Sequence, residues 1–224
     1  MADYQFGKQL NILEVMKNKS YYAKVFSEGS AELEKLLLNL WKKNIETFMC
    51  CTGHEIDDAA YIMMYLPTTN KEMMYTIIDA VYNEDQTYII VGKEHDREDI
   101  LIDIKSYCGS KFFENINRSL EQSVVLNKID SNISNMIEIL SEFNYKTFDL
   151  YYEIFNIRNQ KRLDIYANYC KDNGDGLTRH LHVLRKTSIL NDKIFETNAF
   201  SKDEFESKIN DINNRGHQKT HFKR

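Results

Sequence analysis

Residues 45–66 read IETFMCCTGHEIDDAAYIMMYL. Two apolar runs, Glu46–Cys51 and Ala59–Leu66, flank a polar elbow, Cys50-Cys51-Thr52-Gly53-His54-Glu55. Both runs are short, partly β-branched or aromatic, and bounded by turn residues, so the pattern predicts two strands. The elbow then lies where a strand ends, a place from which side chains can meet a ligand. Two of the four cysteines and one of the six histidines fall inside five residues of it, and no other stretch crowds reactive groups in this way.

Working outward, Leu33, Leu36, Leu37, Leu40 and Trp41 fall at i, i+3, i+4, i+7 and i+8. That is one helical face, with Ser30 as N-cap, Asn44 as terminator and Trp41 in the core. Upstream, Ser20–Phe26 is expected to be a strand or an ordered arm. After Pro67–Asn70, residues Met74, Ile77, Ile78 and Val81 mark a second helix, and Met63, Met64, Met73 and Met74 are expected to fill core gaps. Gln86–Gly92 reads as a strand and Gly92–Asp99 as a charged turn. Ile100, Ile102 and Ile104 mark a half-buried strand. A third helix follows Cys108-Gly109-Ser110, with Phe113, Ile116 and Leu120 inward. This order predicts an α+β unit over residues 1–125, its mainly antiparallel sheet covered by helices on one face.

The second half reads as mostly helical. Ser131 caps a helix with Ile133, Met136, Ile137 and Leu140 on one face. Phe148, Tyr151, Tyr152 and Phe155 have helical spacing within 145–157, and Leu163, Tyr166, Tyr169 and Cys170 continue it. Residues 173–176 form a turn, 177–190 is open between helix and strand, and Ser201–Glu204 is a capping box. The expected organisation is therefore 1–125, a mainly helical 126–214, and a basic tail at 215–224.

Composition narrows the classes. A net charge of -5 over 224 residues gives no overall basic groove for nucleic acid. Met1–Ser20 has no apolar core of the signal-peptide type, and no run reaches the length of a membrane helix. Adjacent Cys50 and Cys51 form no spaced disulfide framework, which points to a reducing, cytoplasmic setting. There is no GxxxxGK[ST] and no GxGxxG, so no cofactor is assigned.

Three constellations carry candidate chemistry. Cys51 and His54 are the candidate catalytic pair: a thiol beside an imidazole can form a thiolate nucleophile. Gly53 permits the tight turn, and Glu55 is expected to fix the tautomer of His54. The acidic Glu55, Asp57 and Asp58 would instead raise a nearby thiol pKa. The second is the basic cluster Arg179, His180, His182 and Arg185, suited to a phosphate or an acidic partner. Cys51-x-x-His54 with His180-x-His182 would have zinc-like ligand types. Over a hundred residues separate the two halves, however, and no metal ligand is assigned. The third is the aromatic run containing Tyr151 and Tyr152, read as a helical docking face.

The run Ile45-Glu46-Thr47, Cys51-x-Gly53-His54 and Tyr61-Ile62 resembles a group of small phage and bacterial proteins of uncharacterised activity. Those carry G-I-x-T, then S/C-C-x-G-H, then Y-I on the next strand. Asn44 stands where they have Gly, and the likeness spans about residues 29–66. It implies a phage or mobile-element origin and no mechanism. Cys50–His54 is also similar to the S-C-S-G-R elbow of the wybutosine-pathway tRNA methyltransferases. His54 stands in place of their Arg, and their activity is not carried over. The leading expectation is an accessory protein that binds a host protein or nucleoprotein, such as a defence or CRISPR effector. The rival is a Cys51/His54 enzyme acting on a nucleotide or RNA, with or without a metal. The sequence assigns no oligomeric state.

Overall fold

The computed structural model describes residues 12–54, 58–122, 131–142, 148–158, 160–172 and 178–190. It is an α+β structure built on one antiparallel sheet. The helices are α1 (Ile12–Lys17), α2 (Lys19–Phe26), α3 (Ala31–Lys42), α4 (Lys71–Asp79), α5 (Lys111–Gln122) and α6 (Ser131–Glu142). The strands are β1 (Glu46–Cys51), β2 (Ala60–Leu66), β3 (Thr87–Lys93), β4 (Ile100–Ser106), β5 (Phe148–Ile157), β6 (Gln160–Asp172) and β7 (Thr178–Leu190). They lie in the order β1-β2-β4-β3-β5-β6-β7, and every neighbouring pair is antiparallel.

Helix α3 starts where Ser30 Oγ accepts the Leu33 amide at 3.2 Å, satisfying one of the orphan donors of the first turn. All five residues of its apolar stripe are buried. Asn44, with φ 59°, turns the chain out of the helix, and Trp41 Nε1 donates to Thr47 Oγ1 at 2.8 Å. The helix end is thereby tied to the strand that leads into the elbow. Ser20–Phe26 is the helix α2 rather than a strand: Tyr22 and Phe26, four residues apart, stack with centroids 5.7 Å apart, and Ala23 is buried. That i, i+4 pairing suits a helix and would be lost in an extended arm.

The core lies between the helices and one face of the sheet. On that inner face Ile62, Met64, Ile89, Val91, Ile102, Ile104, Leu150 and Ile154 join Leu36, Leu40, Ile77, Phe113, Ile116 and Ile137 in one buried cluster. Met64 and Met74 are buried within it and Met73 packs against it, as expected of gap-filling methionines, whereas strand alternation puts Met63 on the outer face. Strand β4 departs from the half-buried expectation. It sits between β2 and β3, and Leu101 and Asp103 on its outer side are buried as well. Of the other outer-face residues, Tyr61, Met63, Tyr88, Ile90, Tyr151 and Phe155 are half-buried and Tyr65 is buried.

The helical expectation for the second half holds for α6 alone among the described residues. Phe148–Ile157 is the strand β5, paired with β3 through Val91↔Tyr152. Residues 160–172 and 178–190 are also strands. Aromatics at 148, 151, 152 and 155 satisfy helical spacing, but Leu150, Tyr152 and Ile154 alternate with Tyr151, Glu153 and Phe155. The alternation prevailed because β3 offers a strand edge, and aromatic and β-branched residues pack well on a pleated face. The sheet thus continues past residue 125. The Ser201–Glu204 capping box, the turn at 173–176 and the basic tail lie outside the described residues. No described helix is long and apolar enough to cross a membrane.

Candidate functional site

Strands β1 and β2 present a narrow outer surface with a polar cluster at each end. Register places Cys51 opposite Tyr61, Met49 opposite Met63 and Glu46 opposite Tyr65. Between Thr47 and Met49 the register shifts, and this bulge carries Phe48. Its ring meets that of Tyr65 edge-on at 6.3 Å, while 57% of the residue stays exposed. Met49 is exposed too. Among the described residues, β1 pairs with β2 alone, so its far side is a sheet edge.

The elbow is one end. Cys51 closes β1, and Gly53 has φ 79°, a conformation that favours glycine. A Cβ there would meet Asp58 O at 2.8 Å and Ala60 N at 3.2 Å, so both space and backbone require Gly. His54 follows at once. The group that receives it is Glu28, from the turn after α2, whose own φ is 53°. His54 Nε2 lies 3.2 Å from Glu28 Oε1. Glu28 Oε2 accepts from Thr52 N–H and from Thr52 Oγ1–H, each at 3.1 Å. Glu55, the expected partner of His54, lies outside the described residues. One ligand-type atom each from Glu28, Cys51 and His54 converges within 4.8 Å of the others.

The two thiols differ in place and agree in chemistry. Cys50 points inward, where Sγ lies 3.7 Å from Phe26 O. Burial pushes its pKa up to about 12, with Glu28 and Cys51 adding to the rise. Cys51 lies on the outer face and takes the Gly53 amide on Sγ at 3.4 Å. Its pKa is also raised, first by burial and then by the charges of Glu28 and Asp58, with that amide opposing. A nucleophilic cysteine needs the opposite shift. The carboxylates crowding the thiol therefore favour the neutral thiol over an activated thiolate.

The other end holds a cluster in the turn between β3 and β4, which the sequence shows only as a run of charges. Asp149 Oδ1 accepts from the His95 backbone N–H at 2.9 Å and lies 2.8 Å from His95 Nδ1. The carboxylate favours a proton on Nδ1, leaving Nε2 as the basic nitrogen. Beside it, Tyr65 and Tyr151 hydroxyls donate to Glu94 at 3.4 and 3.5 Å. Burial, then Asp96 and Asp149, hold the Glu94 carboxyl above its ordinary pKa, while Arg97 opposes the rise. Arg97 lies over the Tyr65 ring at 3.6 Å from its centroid and reaches Glu46 at 3.3 Å. Asp149 is 54 residues from His95, and no local spacing announces that pairing.

The remaining candidates separate. Tyr151 is half-buried, and its ring covers Gly92, where a Cβ would lie 2.1 Å from Cδ1. Tyr152 faces the core and is buried. Burial raises its phenol pKa, and its hydroxyl has no hydrogen-bond partner among the described residues. Strand alternation, which puts neighbours on opposite faces, is why these two tyrosines do not share a docking face. Arg179, His180, His182 and Arg185 are placed on β7, at the opposite edge of the sheet from β1. Six strand spacings separate those edges, on the order of 29 Å across the sheet, so His180 and His182 do not complete a site with Cys51 and His54. No family model, curated protein or solved structure matches this chain.

Proposed function

We propose that this chain is a phage or mobile-element accessory protein that acts by binding a host protein or nucleoprotein, and that it docks through the β1 edge. A single observation carries the reading. Phe48 and Met49 stand exposed on an edge strand whose outer side has no partner among the described residues. Natural sheets ordinarily protect such edges with charge, proline or a covering segment. An aromatic anchor beside unpaired backbone groups suits an added strand or loop from a partner. The cationic Arg97 and the acidic Glu46, Glu94 and Glu28 flank the apolar centre. This is the pattern of an interface with an apolar middle and a polar rim. The phage origin rests on the resemblance over residues 29–66, and a defence or CRISPR effector is one target of this class. The rival Cys51/His54 enzyme is disfavoured by the raised pKa of Cys51.

The test is site-specific photo-crosslinking in bacterial host lysate. A benzoylphenylalanine at position 48 should yield one discrete adduct, and the same probe at Tyr21, exposed on α2, should not. Met49→Asp should remove the adduct from position 48. No adduct, or the same adducts from both positions, would reject docking at this edge.

A further inference from the structure

We infer that Glu28, Cys51 and His54 form a binding site for a zinc-class divalent cation. The inference stands on the elbow alone and does not depend on the docking reading. The three side chains come from two pieces of backbone: Glu28 from the turn after α2, and Cys51 and His54 from the elbow that ends β1, on either side of Thr52-Gly53. Each side chain has its own backbone constraint. Cys51 is pinned by its pairing with Tyr61. His54 is positioned by a glycine that tolerates no side chain, and Glu28 sits in a left-handed turn.

Their ligand atoms lie within 4.8 Å of one another. Tetrahedral bonds of about 2.0–2.3 Å to O, N and S place ligand atoms roughly 3.3–3.6 Å apart. Glu28 Oε1 and His54 Nε2, at 3.2 Å, are already near that separation, and the whole set needs a contraction on the order of 1 Å.

Supporting contacts of the kind found around metal ligands are also present. Thr52 holds Glu28 Oε2 through two hydrogen bonds and leaves Oε1 toward His54. The Gly53 amide donates to Cys51 Sγ. Such outer contacts orient ligands and moderate the charge on a thiolate. One sulfur, one imidazole nitrogen and one carboxylate oxygen select zinc over magnesium or calcium, which prefer all-oxygen sets. Three protein ligands leave a fourth position. It faces solvent, since 60% of the His54 side chain is exposed. Water or a donor atom from a bound molecule can occupy it.

Cobalt(II) titration of the reduced full-length chain tests the inference, because cobalt reports the ligands that zinc would take. One equivalent should produce a sulfur-to-cobalt charge-transfer band together with visible bands of tetrahedral intensity. Zinc should bleach both. Cys51→Ser should abolish the charge-transfer band. His54→Ala and Glu28→Gln should each weaken cobalt binding at least tenfold while the apo-protein melts as the wild type does. Cys50→Ser and Cys108→Ser should leave the spectrum intact. Absence of the band in the wild type, or its survival in Cys51→Ser, would overturn the assignment. Should Cys51→Ser fold poorly, the His54→Ala titration decides: unchanged affinity refutes the site.

Discussion

Two histidine–carboxylate pairs lie at opposite ends of the sheet's strands, one at the end of β1 and one between the β3–β4 turn and β5, and they differ mainly in how much water reaches them. His54 and Glu28 are 3.2 Å apart with side chains 60% and 33% exposed. His95 and Asp149 are 2.8 Å apart with side chains 23% and 6% exposed. Water screens the first pair, and exposed ion pairs contribute little to stability. The second pair is nearly dry and also satisfies a backbone amide, so breaking it strands a buried group. A contact that contributes little to folding can be exchanged for a ligand. A contact that holds a turn against a strand cannot be exchanged so freely. The difference suits the elbow to the binding role proposed for it and the His95 turn to a structural one, although both carry the same pair of functional groups.

The yardstick for both ends is the inner layer. Leu37 is buried in the core cluster, and Leu37→Ala should cost about 2–5 kcal/mol in chemical denaturation. A cost within experimental error would mean that α3 does not anchor the strand leading to the elbow. Next in size is Asp149→Ala, expected to cost about 3 kcal/mol because it leaves the His95 amide and ring without their acceptor. Parity with Glu28→Ala, expected below about 1 kcal/mol, would erase the distinction between the two ends.

Asp103 sharpens the comparison from the middle of the same face. It is buried, ion-paired to Lys105 at 3.3 Å, and its Oδ1 has no hydrogen-bond partner among the described residues. Burial raises its pKa and Lys105 opposes the rise. A raised carboxyl pKa means that the folded state holds the proton more tightly than the unfolded state does. Its contribution is favourable below the unfolded pKa and is lost as pH rises through the folded one. Asp103→Asn should therefore raise stability at pH 7 by up to about 1 kcal/mol, and the gain should fade as pH falls through the raised folded pKa and be gone below the usual carboxylate value. A gain that grows with acidity would reverse the sign and reject the cause.

The smallest expected effect is one of rate. In a Cys170→Ser background, alkylation should run Cys108 first, then Cys51, then Cys50, following exposure and the raised thiol pKa values. Mass mapping of partly modified protein gives the order. Fastest reaction at Cys51 would restore the case for an activated nucleophile.

Much of this fold was legible because single periods dominated single stretches. The five-residue stripe of α3 admits only a helix, and Glu46–Cys51 and Ala60–Leu66 are too short and too bounded for anything but strands. Strand β5 was not legible, because its aromatics fit both periods and only the open edge of β3 decides between them. Cys51 and His54 were visible as neighbours. Glu28 was not, since 24 residues separate it from Thr52, whose amide it accepts. Asp149 was hidden for the same reason. Hydrogen bonds that close across a fold leave no spacing to read.

The most direct test is a pair of melting curves, His54→Ala and His95→Ala, each compared with wild type at neutral pH without added metal. His54→Ala should melt within about 1 °C of wild type while His95→Ala melts several degrees lower, a difference set by the screened and unscreened pairs. Equal losses at both positions, or the larger loss at His54, would contradict it: the elbow would then be part of the scaffold and not a site carried on it.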